Sequence, residues 1–459
     1  DHADALTRAV GRGVNLVDTS TNYSDGHSER LVGRILSELD RDGTVPRSAA
    51  IVVSKIGYAQ GENLALAEAH EEAGEPFPEM VKLGEGLWHC IHPEWLADQL
   101  ERSLERLGLE TLDVCLLHNP EYFFAEAKSK RVPLEDARTE FYRRVGAAFR
   151  HLEEEVKQGR IRYYGVSSNT FGAPRDDAEA TDVERFVKAA EEAAGPDHHF
   201  KVVQLPLNLL ESRPALEPNT GEGGARTAVA AAEAHGLAVL VNRPLNAIVE
   251  NRLIRLADPP DFADAPSFSE QVQLVKELER EFAQTIAPQL KFPKEGGPKP
   301  GDILRWGEQL GAIGAELDGL EQWRELESQA VAPRIMQTLA ALDHGIKGPL
   351  AARWQEFRDR YVQQIDLLLL ALRKRAADRS RRRTSTIGRT IDAALPAERR
   401  TAPLSQKALS VVRSVPGVTT VLVGMRETPY VADAFAMMGA PPLDDPAAVL
   451  RSCNAVDLP

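Results

Sequence analysis

Three cysteines in 459 residues, Cys90, Cys115 and Cys453, are too few and too scattered to frame a disulfide scaffold or a thiolate metal site. They fit a reducing compartment, so a cytoplasmic location is expected. Long apolar runs are also lacking. The longest aliphatic stretch, Ile365 to Leu372, is interrupted by Asp366 and falls far short of the roughly 20 apolar residues that a membrane span needs. The opening residues DHADALTRAVGRG read as a polar amphipathic helix, without the basic start and apolar centre of an export signal. Positive charge is in deficit: 55 Lys and Arg stand against 69 Asp and Glu, for a formal net charge of −14. Such a chain repels polyanions on average, which argues against DNA, RNA or an anionic membrane as partners. Internal repeats and low-complexity tracts are missing too.

What is present is a β/α rhythm. Short runs rich in Val, Ile and Leu recur at Val14–Val17, Ala50–Ser54, Leu112–Leu117, Ile161–Val166, Val202–Leu205, Leu237–Val241 and Thr419–Val423. Between them lie amphipathic stretches such as PEWLADQLERSLERLGL, TEFYRRVGAAFRHLEEEVKQG and ARTAVAAAEAHG, with apolar residues three and four apart and a glycine near each end. Near-continuously apolar strands joined by helical crossovers imply a parallel sheet covered by helices, either doubly wound or closed into a barrel. Two segments break the rhythm. Residues 59–92 are rich in Glu, Gly and Pro without a strong period and read as a long strand-to-helix loop. Residues 257–402 carry long amphipathic helices with no strand pattern, which reads as a helical insertion or subdomain between a 1–256 region and a 403–459 region. The basic run RKRAADRSRRR, Arg373 to Arg383, could bind phosphate groups, but a solvated helix end is the preferred reading.

In a parallel α/β protein, reactive groups belong at the carboxyl ends of the strands. The first three strand patterns stop at Asp18, Lys55 and His118. Each alone has an ordinary explanation, as a turn cap, a solvent-reaching lysine or a hydrogen-bonded turn residue. An Asp, a Lys and a His at one rim make a more demanding coincidence. Tyr23 lies five residues beyond Asp18, placed to aim a phenol back over the sheet. A tyrosine ordinarily titrates at about pH 10, and a lysine ammonium beside it stabilises the phenolate, while a carboxylate keeps that lysine charged and oriented. Asp18, Lys55 and Tyr23 can form this relay, with His118 placed to hydrogen-bond a substrate carbonyl oxygen.

DTSTNY followed by GHSERLVG, then VVSK, LDVCLLH, GRIRYYGVSSN, VVQLPLN and PGVTTVLVGMR resembles the ordered motif series of the aldo-keto reductases, over roughly residues 1–250 and 403–436. The resemblance implies a (β/α)8 TIM barrel of aldo-keto reductase type with a helical insertion before the last strand. It places Asp18, Tyr23, Lys55 and His118 as the catalytic tetrad. It also implies an extended nicotinamide cofactor bound without a Rossmann domain, in keeping with the lack of a G-x-G-x-x-G turn. Ser167, Ser168 or Asn169, together with Gln204, are then expected to hold the nicotinamide carboxamide. Where relatives carry an aromatic residue to stack on the nicotinamide, this chain has Asn242-Arg243-Pro244-Leu245. Arg243 is a candidate for the pyrophosphate, an ion pair being the equal alternative. Gly424 opens a phosphate-binding segment, Arg426 takes the position that grips the 2′-phosphate, and Asp433 faces the adenine; the guanidinium favours NADP(H) over NAD(H).

The resemblance starts at the first barrel helix, so the first barrel strand is expected to be missing from this chain. The pair His89 and His92, with Cys90, invites a metal reading, but without further ligands packing is preferred and no metal is expected. The implied function is reversible hydride transfer between nicotinamide and a small-molecule aldehyde, ketone, sugar or alcohol, with Tyr23 supplying the proton during reduction. The alternative is a nicotinamide-binding regulatory or interaction protein of the same fold.

Overall fold

The computed structural model describes residues 1–290 and 300–454. They form two compact units, one of Asp1–Val249 with the segment from Ile391 onward, the other Glu250–Thr390. In the first unit seven parallel strands hydrogen-bond in chain order: β1 (Leu16–Asp18), β2 (Ile51–Ile56), β3 (Leu112–His118), β4 (Ile161–Ser167), β5 (Phe200–Pro206), β6 (Ala238–Asn242) and β7 (Val418–Val421). Helices join them, as expected of a (β/α)8-type barrel wall. Among the described residues β1 and β7 each pair on one side only.

Alternation along the strands builds the site. Side chains two apart share a face, so Leu16 and Asp18 point together, as do Val53 and Lys55, Leu116 and His118, Val202 and Gln204, and Leu240 and Asn242. The first member of each pair belongs to one apolar cluster, Val53, Val114, Leu116, Val202 and Leu240, with Leu16, Ala238 and Leu422 packed against it. The second members form a polar layer above it at the carboxyl ends of the strands. Register completes the row: His118 lies opposite Ser167, and Ser167 opposite Gln204. The sheet is tight enough at Gly165 that a Cβ there would sit 2.0 Å from the Val202 carbonyl oxygen.

The helices are stopped and started by local chemistry. Pro93–Leu107 begins with proline in its first turn and with His92 as N-cap, whose ring accepts from the Glu94 N–H; it ends at Gly108, in the left-handed region at φ 64. Its buried face carries Trp95, Leu96, Leu100 and Leu107; burying each stabilises the unit by roughly 1.5–3 kcal/mol. The 59–92 segment differs from the expected loop. It contains a helix, Glu62–Glu72, and a three-stranded antiparallel sheet of Tyr58–Ala59, Val81–Gly84 and Leu87–His89. These strands are two to four residues long, too short for a period to register in the sequence.

The second unit is helical, built around Phe282, Trp323, Trp354, Phe357, Tyr361, Leu368 and Leu372. Its longest helix, Leu350–Asp392, presents Trp354, Phe357, Tyr361, Ile365, Leu368 and Leu372 at the three-and-four spacing of one face. A buried carboxylate beside that stripe, Glu279, accepts from Tyr361 Oη at 2.9 Å and from the Gly307 N–H at 3.0 Å. Most of the basic run is engaged by neighbouring groups. Arg375 and Arg379 donate to the carbonyls of Gly314 and Ala315 at the end of helix Trp306–Glu316, and Arg373 pairs with Glu327. The run thus caps a neighbouring helix rather than its own end, because the carbonyls left open at a helix C-terminus attract cations.

Candidate active site

Lys55 is fully buried, and its ammonium has three donors for three acceptors: Asp18 Oδ2 at 2.6 Å, the Thr19 carbonyl at 2.8 Å and Tyr23 Oη at 3.2 Å. Burial by itself pushes the ammonium down. The Asp18 carboxylate and Tyr23, through charge and hydrogen bonding, outweigh it and hold Lys55 above its ordinary value. Since Tyr23 accepts from Lys55, its own O–H is free to point elsewhere. Tyr23 is 39% exposed, so that proton can meet a ligand.

Asp18 is fixed from its other side. Gln204 Nε2 donates to Asp18 Oδ1 at 2.8 Å, while Gln204 Oε1 accepts from Ser167 Oγ at 3.2 Å and Asn242 Nδ2 at 3.3 Å. Gln204 therefore spends most of its amide inside the protein, orienting Asp18, and keeps one N–H. His118 stands edge-on to Tyr23, with ring centroids 6.1 Å apart. Burial, the Lys55 ammonium and His89 push it well below the ordinary histidine range, so it is neutral at pH 7. Its Nδ1 contacts Ser20 Oγ at 3.1 Å, and Tyr58 packs edge-on against the ring at 4.7 Å.

The structure thus brings Asp18, Tyr23, Lys55, His118, Ser167 and Gln204 together. Ser168 is buried and hydrogen-bonded to Thr181 at 3.0 Å, whereas Asn169 is exposed and its side-chain amide has no partner among the described residues. The Asn169 N–H donates to buried Glu121 at 2.8 Å. Arg243 pairs with Glu211 at 2.7 Å, the ion-pair alternative of the two readings its sequence position allowed. Gly424 and Arg426 are exposed, and Arg426 forms no ion pair among the described residues. Asp433 accepts from Gln406 Nε2 at 2.9 Å. The helix Thr428–Phe435 starts with no side-chain cap, but Pro429 has no N–H and the Tyr430 N–H donates to the Glu427 carbonyl at 3.1 Å, so of its first three residues Thr428 alone has an N–H to offer. His89, Cys90 and His92 each have local partners: the His118 carbonyl, the Pro78 carbonyl and the Glu94 N–H. Among the described residues no group of three or more His, Cys, Asp or Glu is arranged to hold a metal. Nor is any described helix long and apolar enough to cross a membrane. A cavity of about 280 Å³ in the helical unit contains none of these residues; its Arg383 and Asp318 pair with each other.

Sequence reasoning missed Ser20, Asn242 and Glu121. Ser20 lies within DTSTNY two residues after Asp18, on its face of the chain, and Asn242 shares the inward face of β6 with Leu240; alternation alone could have found both. Glu121 gives no such signal, since it enters the interior from an irregular turn.

A parallel β/α wall of barrel type carries a lysine-centred Asp-Lys-Tyr cluster and an adjoining histidine at its carboxyl rim, an arrangement suited to acid–base chemistry. The sequence profile of the Aldo/keto reductase family matches residues 1–278, and the chain belongs to that family. It is 27% identical over 192 residues to aldo-keto reductase AMT2 of Alternaria alternata, covering 41% of this chain and 46% of that protein. It is 28% identical over 165 residues to the NADH-specific methylglyoxal reductase of Escherichia coli (strain K12), covering 34% and 45%. It is also 28% identical over 164 residues to a putative voltage-gated potassium channel subunit beta of Schizosaccharomyces pombe, covering 36% and 35%. The chain thus spans less than half the length of these relatives. Among solved structures, the glycerol dehydrogenase AKR11B4 from Gluconobacter oxydans aligns over 99% of this chain and 84% of its own, at 17% identity and a TM-score of 0.46.

Proposed function

We propose that this protein is an NADP(H)-dependent oxidoreductase that interconverts a small-molecule carbonyl and its alcohol. The observation that carries the reading is the Lys55 ammonium, buried and bonded at once to Asp18 and to Tyr23. Such an arrangement serves proton transfer at the phenol: Lys55 occupies a lone pair of Tyr23, directs its O–H toward the mouth and stabilises the phenolate left after the proton goes to the carbonyl oxygen. Asp18 keeps Lys55 charged, and Gln204 keeps Asp18 in place. Neutral His118 supplies a second hydrogen bond to the same oxygen.

The residues at the rim suit a nicotinamide. Asn242 Oδ1 is a buried acceptor without a partner, and Asn169 offers a free amide; with the remaining Gln204 N–H they match the donors and acceptor of a carboxamide. Ser167 and Ser168 shape that turn. When bound, the cofactor supplies or accepts the hydride. Arg426 and the Thr428 N–H at the start of helix Thr428–Phe435, in the segment that Gly424 opens, are suited to phosphate, and the guanidinium favours the 2′-phosphate of NADP(H). Asp433 lines the adenine side. Residues 257–402 are an insertion in this barrel.

NADPH consumption across an aldehyde, ketone and sugar panel tests the reading. The wild type is expected to turn over, and Tyr23→Phe to lose about 10²–10⁴-fold in kcat while still binding NADPH. A second reading, a nicotinamide-binding regulatory subunit, draws on the likeness to the channel subunit beta; binding with no Tyr23-dependent turnover would favour it.

A further inference from the structure

Ser20 Oγ, fully buried, has three neighbours: Asn22 Oδ1 at 2.7 Å, His118 Nδ1 at 3.1 Å and the Lys55 carbonyl at 3.3 Å. The Lys55 carbonyl already accepts from the Thr21 N–H, and its contact is the longest of the three. Beyond Asn22 the chain continues, with Asn22 Nδ2 bonded to Gln60 Oε1 at 3.0 Å. Gln60 is half-buried at the rim, so the hydrogen bonds run unbroken from the edge of the mouth to the His118 ring.

A serine hydroxyl has one proton to give. If it goes to Asn22, His118 must donate from Nδ1, and a neutral imidazole then has a bare Nε2 that accepts. If instead both amides turn by 180°, which keeps every heavy-atom position, Gln60 donates to Asn22, Asn22 donates to Ser20, and Ser20 donates to Nδ1. The ring proton is then on Nε2. The two directions of one chain correspond to the two tautomers of His118, and no other described side chain hydrogen-bonds its ring nitrogens.

We propose that Gln60, Asn22 and Ser20 are positioning residues that set the tautomer of His118, with their donors running from Gln60 toward the ring so that Nε2 carries the proton. The inference rests on the proposed carbonyl reduction in one respect: a carbonyl oxygen gaining negative charge needs a donor from His118. Ser20 reaches the ring directly, and Asn22 fixes which way Ser20 points. Asn22 is the more telling position, because aspartate has the same shape but can only accept when ionised. Asn22→Asp captures the Ser20 proton, forces His118 to donate from Nδ1 and leaves Nε2 bare.

Nitrogen-15 correlation spectra of histidine-labelled protein test this without any turnover. The wild type is expected to show His118 protonated at Nε2, Asn22→Asp to show it protonated at Nδ1, and Ser20→Ala to show a mixture. Kinetically, Asn22→Asp should lower kcat about 10²-fold, comparable to losing one oxyanion donor, with the NADPH dissociation constant within about twofold of wild type. Nδ1 protonation in the wild type, or Nε2 protonation persisting in Asn22→Asp, would overturn the inference. Thermal melts of Asn22→Asp and Ser20→Ala check that both fold, and the isosteric Asn22→Asp carries the test if Ser20→Ala does not. Because the tautomer is read from the resting protein, a wild type that fails to reduce any carbonyl would sink the proposed function and leave the tautomer result standing.

Discussion

Replacing Asp18 by asparagine keeps the shape of the site and removes the charge that permits Lys55 to be buried. The Lys55 side chain is 0% exposed and that of Asp18 13%, and their contact is 2.6 Å. Breaking a buried pair by removing one partner costs roughly 3–5 kcal/mol, because the remaining charge keeps its desolvation penalty. In a unit of this size that corresponds to a Tm drop on the order of 5–10 °C. The pH dependence gives a sharper signature. In the wild type the Lys55 value lies above 10.5, so its contribution is fully present below 10.5 and is lost as pH rises through the folded value. In Asp18→Asn only Tyr23 and the Thr19 carbonyl still oppose burial, the largest influence on Lys55, and the folded value is expected to fall below the unfolded one. Stability then climbs with pH up to about 10.5, the opposite slope. Between pH 8 and pH 10.5, urea unfolding followed by circular dichroism should show no Lys55-linked slope in the wild type and a rising one in Asp18→Asn. Asp18→Asn/Lys55→Met, which removes both charges, should be more stable than Asp18→Asn alone. A double variant less stable than Asp18→Asn, or a single variant with the wild-type slope, would refute the account of Lys55 as a charge held in the interior by Asp18.

Other outcomes follow from single residues. Arg426→Ala should weaken NADPH binding at least about tenfold and leave NADH binding near wild type, since only NADPH carries the 2′-phosphate; equal losses in fluorescence titration would remove the basis for a cofactor preference. Burial pushes Glu121 up to about 7, so its contribution is present below about 4.5 and lost as pH rises through about 7. Linkage makes that loss on the order of 3 kcal/mol, and Glu121→Gln should abolish it in unfolding curves at pH 5 and pH 8. Gly165→Ala drives a Cβ into the Val202 carbonyl; it should destabilise the sheet by about 3 kcal/mol or abolish folding, read from Tm and yield.

All seven strands of the parallel sheet could be read from short runs rich in Val, Ile and Leu, most plainly in LDVCLLH and VVQLP, because strands buried on both faces are continuously apolar. Asp18, Lys55 and His118 were legible for the converse reason: each is the first ionisable residue to end such a run. The antiparallel strands Val81–Gly84 and Leu87–His89 escaped because a strand of three or four half-exposed residues has no pattern to distinguish it from a loop. The partner choices of Arg243 and Gln204 escaped for another reason. Glu211 lies 32 residues from Arg243 in the chain, brought close by the pairing of β5 with β6, and Asp18 lies 186 from Gln204, brought close by the curl of the sheet. Sequence alone names the polar groups at a rim, while register and alternation decide which of them touch.

The position of the helical unit within the chain has a consequence in time. Strand β7 pairs with β6, yet about 175 residues separate them, so on a ribosome adding about 5–20 residues per second β6 emerges roughly 10–35 s before its partner. During that interval its outer edge offers unpaired N–H and C=O groups beside an apolar face, the template on which aggregation starts. The helices of residues 250–390, rich in local contacts, can fold within the same interval. Production of this protein should therefore be sensitive to translation speed and temperature between residues 242 and 418, and slower growth should raise the yield of folded chain more than it does for a barrel without the insertion.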